Sequence, residues 1–107
     1  MAEPVLDRRI AFERATDTDN GRGGRTQVWT VHKRAWAEMI PLRGDEALRN
    51  AIEQNVQLWK VTIRWQAGIT RQHRIRDQGR ILDIETCERP TGSRDWLVIT
   101  ATEDRAP

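Results

Sequence analysis

The chain has 107 residues and a formal net charge of +2, from 18 cations and 16 carboxylates. This length predicts one domain over residues 1–107, with a core too small to enclose a deep cofactor site as well. The single cysteine excludes an internal disulfide and a cysteine-based zinc site. The sequence lacks an apolar run of 18 residues and the apolar core of a signal peptide. We therefore expect a soluble protein that is not exported by itself and has no membrane partner.

Arginine accounts for 16 of the 18 cations. This excess over lysine is typical of a GC-rich genome, and a functional demand for arginine is the alternative. The arginines are spread among the carboxylates instead of forming one stripe, which disfavours tight, sequence-specific DNA binding. Passing contact with nucleic acid stays open.

The first predicted element is a half-buried strand over residues 9–15, because Ile10 and Phe12 alternate with polar side chains. Residues 16–25 follow with three glycines and no apolar side chain. This composition predicts a long hairpin connection that is flexible in the free chain and becomes ordered only against a neighbouring molecule.

A second, long strand is predicted over residues 27–39. Trp29 and Val31 share one of its faces. The alternation weakens after them, and a bulge at residues 34–35 would bring Trp36 and the later residues back into phase.

The one convincing helical pattern covers residues 44–55, after Pro41 ends the second strand. Asp45 suits the N-cap position of this helix. Its apolar stripe is formed by Ala47, Leu48, Ala51 and Ile52. A helix this short depends on docking for its stability.

The clearest strand covers residues 59–66, where hydrophobic and polar side chains alternate strictly. Its apolar face is formed by Trp59, Val61, Ile63 and Trp65. Three more strands are predicted at about residues 74–76, 81–88 and 96–102, with a turn at residues 77–79 between the first two. Leu82, Ile84 and Thr86 share one face of the strand at residues 81–88.

These elements define a mainly β fold. The sequence predicts a small closed or nearly closed antiparallel β-barrel of about six strands, with one short helix between strands two and three. Closure of the sheet would also hide the strand edges that an open sheet exposes.

No group of side chains in the sequence has the spacing of a catalytic or metal site. His32 and His73 are 41 residues apart, and the only thiol, Cys87, lies between acidic neighbours that raise its pKa. Asp83 and Glu85 share a strand face, which is more typical of a solvated surface than of an acid–base pair. We therefore predict no catalytic residue, no cofactor and no metal, and a protein that is not an enzyme.

The five tryptophans have two competing interpretations. A base-stacking platform needs aromatic rings on a polar face with cations beside them. Here Trp59 and Trp65 share a face with Val61 and Ile63, which favours a protein core or a subunit interface.

Several short motifs occur in an order that resembles the phage head–tail joining family, also called head-closure or stopper proteins. The resemblance covers residues 6–102, with flexible termini outside it, and Leu82 stands where the family often has an aromatic residue. The motifs are "RIAFER" at residues 9–14, "WAEMIP" at 36–41, "GDE" at 44–46, "VTIRW" at 61–65, "ITR" at 69–71, "RI" at 74–75 and "GRILDI" at 79–84.

The resemblance implies a ring subunit in the head–tail interface of a virion, assembled in the host cytoplasm. The implied partners are further copies in a homo-oligomeric ring, a portal-bound adaptor, a tail terminator or tail-tube protein, and the packaged double-stranded DNA. In that setting Arg43 and Arg49 become candidates for facing the DNA channel. The candidates for contacts with other subunits or partners are Arg22, Arg25, Trp36 and Trp96. The alternative is a small β-barrel that binds single-stranded nucleic acid through exposed tryptophans and arginines.

Overall fold

The computed structural model describes residues 3–19, 21–42, 56–90 and 95–104. These residues form six strands: β1 (Arg8–Asp19), β2 (Arg25–Pro41), β3 (Val56–Arg64), β4 (Arg74–Asp77), β5 (Arg80–Glu88) and β6 (Trp96–Asp104). All pairs are antiparallel and follow the order β1-β2-β3-β6-β5-β4, with β4 returning to β1. The predicted closed, mainly β sheet is thereby confirmed. The predicted helix at residues 44–55 lies outside the described residues, within which no helix is long and apolar enough to span a membrane.

One apolar cluster fills the inside of the ring. As predicted, Ile10 and Phe12 of β1 are buried, and so are Val61 and Ile63 of β3. The rest of the cluster comes from every other strand and from the segment after β3. It comprises Ala37, Ile69, Ile75, Leu82, Ile84, Leu97, Ile99 and Ala101.

The bulge in β2 lies at His32, so the predicted position at residues 34–35 is wrong by about two residues. Phe12 pairs with Lys33 and Glu13 with Val31, which leaves His32 without a partner on β1. At the bulge, the side chains of His32 and Lys33 donate hydrogen bonds to the backbone carbonyls of Gly68 and Ala67.

Beyond the bulge, the alternation of β2 directs alanine inward and tryptophan outward. Ala37 is fully buried and Ala35 packs against the core. Trp36 between them points out and is 52% exposed.

The predicted connection over residues 16–25 is wrong for half of its length. β1 continues to Asp19 and β2 begins at Arg25, so half of the predicted connection is strand. Threonine favours strands, and here Thr16 and Thr18 also donate hydrogen bonds across the hairpin to the carbonyls of Val28 and Thr26. β1 and β2 thus form a two-stranded arm, residues 14–19 and 25–30, that extends past the three residues of β1 paired with β4.

Two other side-chain directions differ from the sequence pattern. Trp65 is 42% exposed instead of buried, because β3 ends at Arg64. In β5 the register shifts between Ile84 and Thr86, so Cys87 packs against the core and Thr86 is exposed. In both cases the alternation is interrupted at or near a strand end.

The ring closes where β1 meets β4, and this seam has little backbone pairing. Only three registered pairs join the two strands, from Ala11–Arg76 to Glu13–Arg74. Each end of the seam carries a buried carboxylate that accepts hydrogen bonds from two arginines. Side-chain ion pairs therefore supplement the short ladder.

Asp77 is the carboxylate at one end of the seam, although the sequence pattern placed it in a turn. It is fully buried at the end of β4 and accepts from Arg8 of β1 at 2.7 Å and from Arg80 of β5 at 2.6 Å. A buried carboxylate is stable only when it is paired, and these two arginines supply the positive charge.

Glu13 of β1 is the carboxylate at the other end and is 3% exposed. It accepts from Arg74 at 2.8 Å and from Arg76 at 3.5 Å, both on β4. The two carboxylates therefore bind β4 to β1 from opposite ends of the seam.

Candidate assembly surface

A row of alternating arginines and tryptophans crosses the outside of the sheet. On β1 and β2, Arg9 lies opposite Trp36, with its guanidinium carbon 5.6 Å from the ring centroid. On β3 and β6, Arg64 lies opposite Trp96 at 5.2 Å. One chain neighbour of each is buried in the core, so these four side chains point out; these neighbours are Ile10, Ala37, Ile63 and Leu97. We call Arg9, Trp36, Arg64 and Trp96 the arginine–tryptophan row.

An open groove of about 590 Å³ lies along the part of this row formed by Arg9, Trp36 and Arg64. Trp36 is the largest apolar side chain that lines the groove, and arginines from three strands line it as well. The groove is lined by Leu6, Arg9, Arg34, Ala35, Trp36, Arg64 and Gln66. An exposed tryptophan among arginines is typical of a protein contact surface, where both residue types are enriched.

Each of the five tryptophans has an arginine over its ring. Besides the two pairs of the row, the distances from guanidinium carbon to ring centroid are 4.2 Å for Arg74–Trp29, 5.1 Å for Arg80–Trp59 and 3.7 Å for Arg89–Trp65. Such a cation–π contact contributes roughly 0.5–1 kcal/mol at an exposed site.

The packing of the tryptophans can now be compared with the two interpretations, a base-stacking platform and a protein core or subunit interface. Only Trp59 packs against the core cluster, and its indole nitrogen also donates to Glu103. In the sequence, the high arginine content was the feature that could have indicated these stacked pairs, because guanidinium groups stack on aromatic faces and ammonium groups do so less readily. The register that selects the partners was not readable from the sequence.

The candidate contact residues fall in two separate places. Trp36 is exposed in the groove, and Trp96 is half-buried beneath Arg64. Arg22 and Arg25 are exposed at the tip of the arm. The two candidates for the DNA channel, Arg43 and Arg49, lie outside the described residues.

A histidine pair that sequence reasoning missed lies at the base of the arm. The rings of His32 and His73 stack with centroids 4.5 Å apart and planes 22° apart. The backbone N–H of Thr70 donates to Nδ1 of His73 at 3.1 Å, so this nitrogen is unprotonated. Partial burial lowers the pKa of His73, and the nearby His32, Arg14 and Lys33 lower it further.

We expect acid to destabilise the fold through His73. Above its ordinary pKa of about 6.5, His73 is neutral in the folded and unfolded chains alike, and its contribution to stability is complete. As the pH falls below that value, the unfolded chain binds the proton first, so stability decreases until the pH passes the lowered folded pKa. Urea unfolding at a series of pH values should give a smaller loss toward acid in His73→Gln than in the natural chain. Equal slopes in the two proteins would contradict this role.

The remaining titratable candidates do not converge on a reactive centre. Burial raises the pKa of the Cys87 thiol, and Arg71 partly offsets this, so the expected direction holds with a different cause. Among the described residues, no three histidine, cysteine or carboxylate side chains are grouped so that they could hold a metal ion.

The closed sheet, its exposed arginine–tryptophan row and its projecting arm define a small β domain that presents surfaces for contact. A family model described as phage head completion protein matches residues 1–104. The chain belongs to this family, and its role is a structural one in the head of a virion. The resemblance to head-closure proteins expected from the sequence is thereby confirmed.

Two solved structures share the fold. A chain from the virion of a native gene transfer agent particle is 20% identical, with a TM-score of 0.70 over 97% of this chain and 100% of that one. Protein SF1141 from Shigella flexneri 2a is 24% identical, with a TM-score of 0.73 over 96% of both chains. No curated protein sequence matches this chain.

Proposed function

We propose that this protein is the ring subunit that closes the DNA-filled head below the portal and its adaptor and offers the tail a docking surface. The observation that carries the proposal is the groove around Trp36, which presents a half-exposed indole and arginines that form no ion pair with any described residue on the outside of the sheet. The family supports a place in the head, and such a surface suits attachment to another protein better than turnover of a substrate. The proposed role is therefore not enzymatic.

The proposal assigns parts to the candidate residues. Trp36 and Trp96 contact another subunit, and Arg22 and Arg25 at the tip of the arm reach a neighbouring subunit or partner. Arg43 and Arg49 face the phosphates of the DNA in the channel. The portal-bound adaptor lies on one side of the ring and the tail terminator or tail-tube protein on the other.

Binding of single-stranded nucleic acid is less well supported by the described residues. An exposed indole next to Arg9 provides the materials of a stacking site. However, an arginine already lies over a face of each tryptophan ring, where a base would stack. A steep fall of oligonucleotide affinity with salt would favour this alternative.

Removal of the gene from the cells that produce the particle tests the proposal. We expect heads that package DNA, lose it again and carry no tails, because nothing closes the channel or receives the tail. Supplying the natural chain from a plasmid should restore tailed, filled particles. Normal yields of filled, tailed particles without the chain would overturn the proposed function.

A further inference from the structure

We propose that the arginine–tryptophan row of one copy packs against the outer face of β5 in the next copy. This inference rests on the proposed ring and names the two surfaces that form it. We call Asp83, Glu85 and Glu88, the carboxylates on the outside of β5, the β5 acidic face.

The cationic side of the contact carries positive charges that no described carboxylate neutralises. Arg9, Arg34 and Arg64 come from three adjacent strands, are exposed and line the same groove. None of them forms an ion pair within the described part of the chain. Arg9 and Arg64 lie over tryptophan rings, which holds their guanidinium groups at the surface without neutralising them.

The acidic side is equally unneutralised. Asp83, Glu85 and Glu88 are exposed, and none has an ion-pair partner among the residues that the structure describes. Glu85 accepts one hydrogen bond, from the Thr102 hydroxyl at 3.4 Å. Arg74 lies opposite Asp83 on β4, but its guanidinium is bound to the buried Glu13.

The positions of the two faces match what a ring requires. In the closed order β1-β2-β3-β6-β5-β4, β5 lies three strands from β2 in either direction, so the groove around Trp36 and the β5 acidic face are on opposite sides of the ring. Trp96, on β6, is at the end of the row that is nearest to β5. Subunits that join head to tail use two different, complementary surfaces. Three exposed cations around a tryptophan on one side and three exposed carboxylates on the other form such a pair.

The same arginines have the charge to meet DNA, but DNA accounts for only one of the two faces. The β5 acidic face would repel phosphates, whereas it attracts the arginines of a second copy of the chain. Opposite charges on facing surfaces also select the correct partner and register. A second copy is therefore the occupant that explains both faces.

Cross-linking in assembled particles tests the contact directly. Gln66 lines the groove and Thr86 is exposed on β5, so each can carry a cysteine without loss of the charged side chains. On a Cys87→Ser background, we expect Gln66→Cys/Thr86→Cys particles treated with a short bismaleimide to yield covalent multimers. Each single-cysteine variant should stay monomeric. Particles that contain the double variant but give no multimers would overturn the inference, and so would multimers from Gln66→Cys alone.

Charge reversal supplies an independent test. Arg34→Glu should lower the yield of closed heads at least about tenfold, because it places like charges across the contact. Adding Glu85→Arg to the same chain should recover most of the yield. Adding Asp17→Arg on the arm instead makes the same change in net charge and should not. A normal yield from Arg34→Glu, or equal recovery from both additions, would overturn the inference. The proposed function, in contrast, would be overturned only by normal yields of filled, tailed particles after removal of the gene.

Discussion

Replacement of Asp77 by alanine should lower the free energy of unfolding by about 3 kcal/mol. The substitution removes the carboxylate that binds both Arg8 and Arg80 at the end of the seam. Among the described residues Arg8 then keeps no ion-pair partner, and Arg80 keeps a longer contact with Glu103 at 3.8 Å. Loss of one partner from a buried ion pair leaves the other charge uncompensated. The two arginine side chains are 38% and 34% exposed, so water reaches them and the effect falls at the lower end of the usual range.

Urea unfolding of the purified chain, followed by tryptophan fluorescence, measures this change. The matched control is Asp83→Ala, which removes an exposed carboxylate from the neighbouring strand and should stay within about 0.5 kcal/mol of the natural chain. A loss below about 1 kcal/mol for Asp77→Ala would contradict a role for the Asp77 ion pairs in closing the seam.

Replacement of Trp36 by alanine should leave the subunit folded and prevent the completion of heads. The side chain is 52% exposed and lies on the outside of the ring, so its loss creates no cavity. A tryptophan that anchors an interface typically contributes about 2 kcal/mol or more to binding, which is roughly a 30-fold change in affinity. Trp96→Ala should weaken assembly in the same direction, because Trp96 belongs to the same row.

Two control variants separate this effect from a loss of fold. Phe12→Ala removes the largest buried side chain and should cost about 3–5 kcal/mol of folding stability. Trp65→Ala removes another indole with an arginine over its ring, which is 42% exposed and does not line the groove, and it should complete heads normally. If Trp36→Ala and Trp96→Ala both unfolded the isolated chain, the two rings would be part of the core and the contact would lie elsewhere.

Hydrophobic alternation was sufficient to predict the inside of the sheet. Ile10, Phe12, Val61 and Ile63 face the core as the period of two requires, because burial of one face fixes the phase of a strand. The prediction was wrong where the period is interrupted, at the His32 bulge and at the end of β3. A bulge depends on the partner strand and on loop carbonyls that are distant in sequence, so the local pattern does not specify it.

The contact surface was harder to predict from the sequence than the core. Trp36 and Trp96 were identified as candidates for contacts with other subunits, but their arginine partners depend on strand register and on the β3–β6 pairing, which skips two strands. The same limit applies to His32 and His73, which belong to different segments and meet only in the folded chain. Asp77 and Glu13 looked like ordinary polar residues of a turn and a strand, because burial of a carboxylate leaves no signature in a single sequence.

The arm has a consequence for how this protein can vary over evolution. Within the described residues its two strands pair only with each other beyond the seam, so residues can be gained or lost there without altering the ring. Adding two residues to each strand preserves which side chains face each side and lengthens the arm by about 7 Å. Adding one residue to each strand moves every side chain beyond the insertion to the opposite face of the arm. Related proteins that serve particles of different dimensions are thus expected to differ in arm length by even steps per strand, with the same ring beneath.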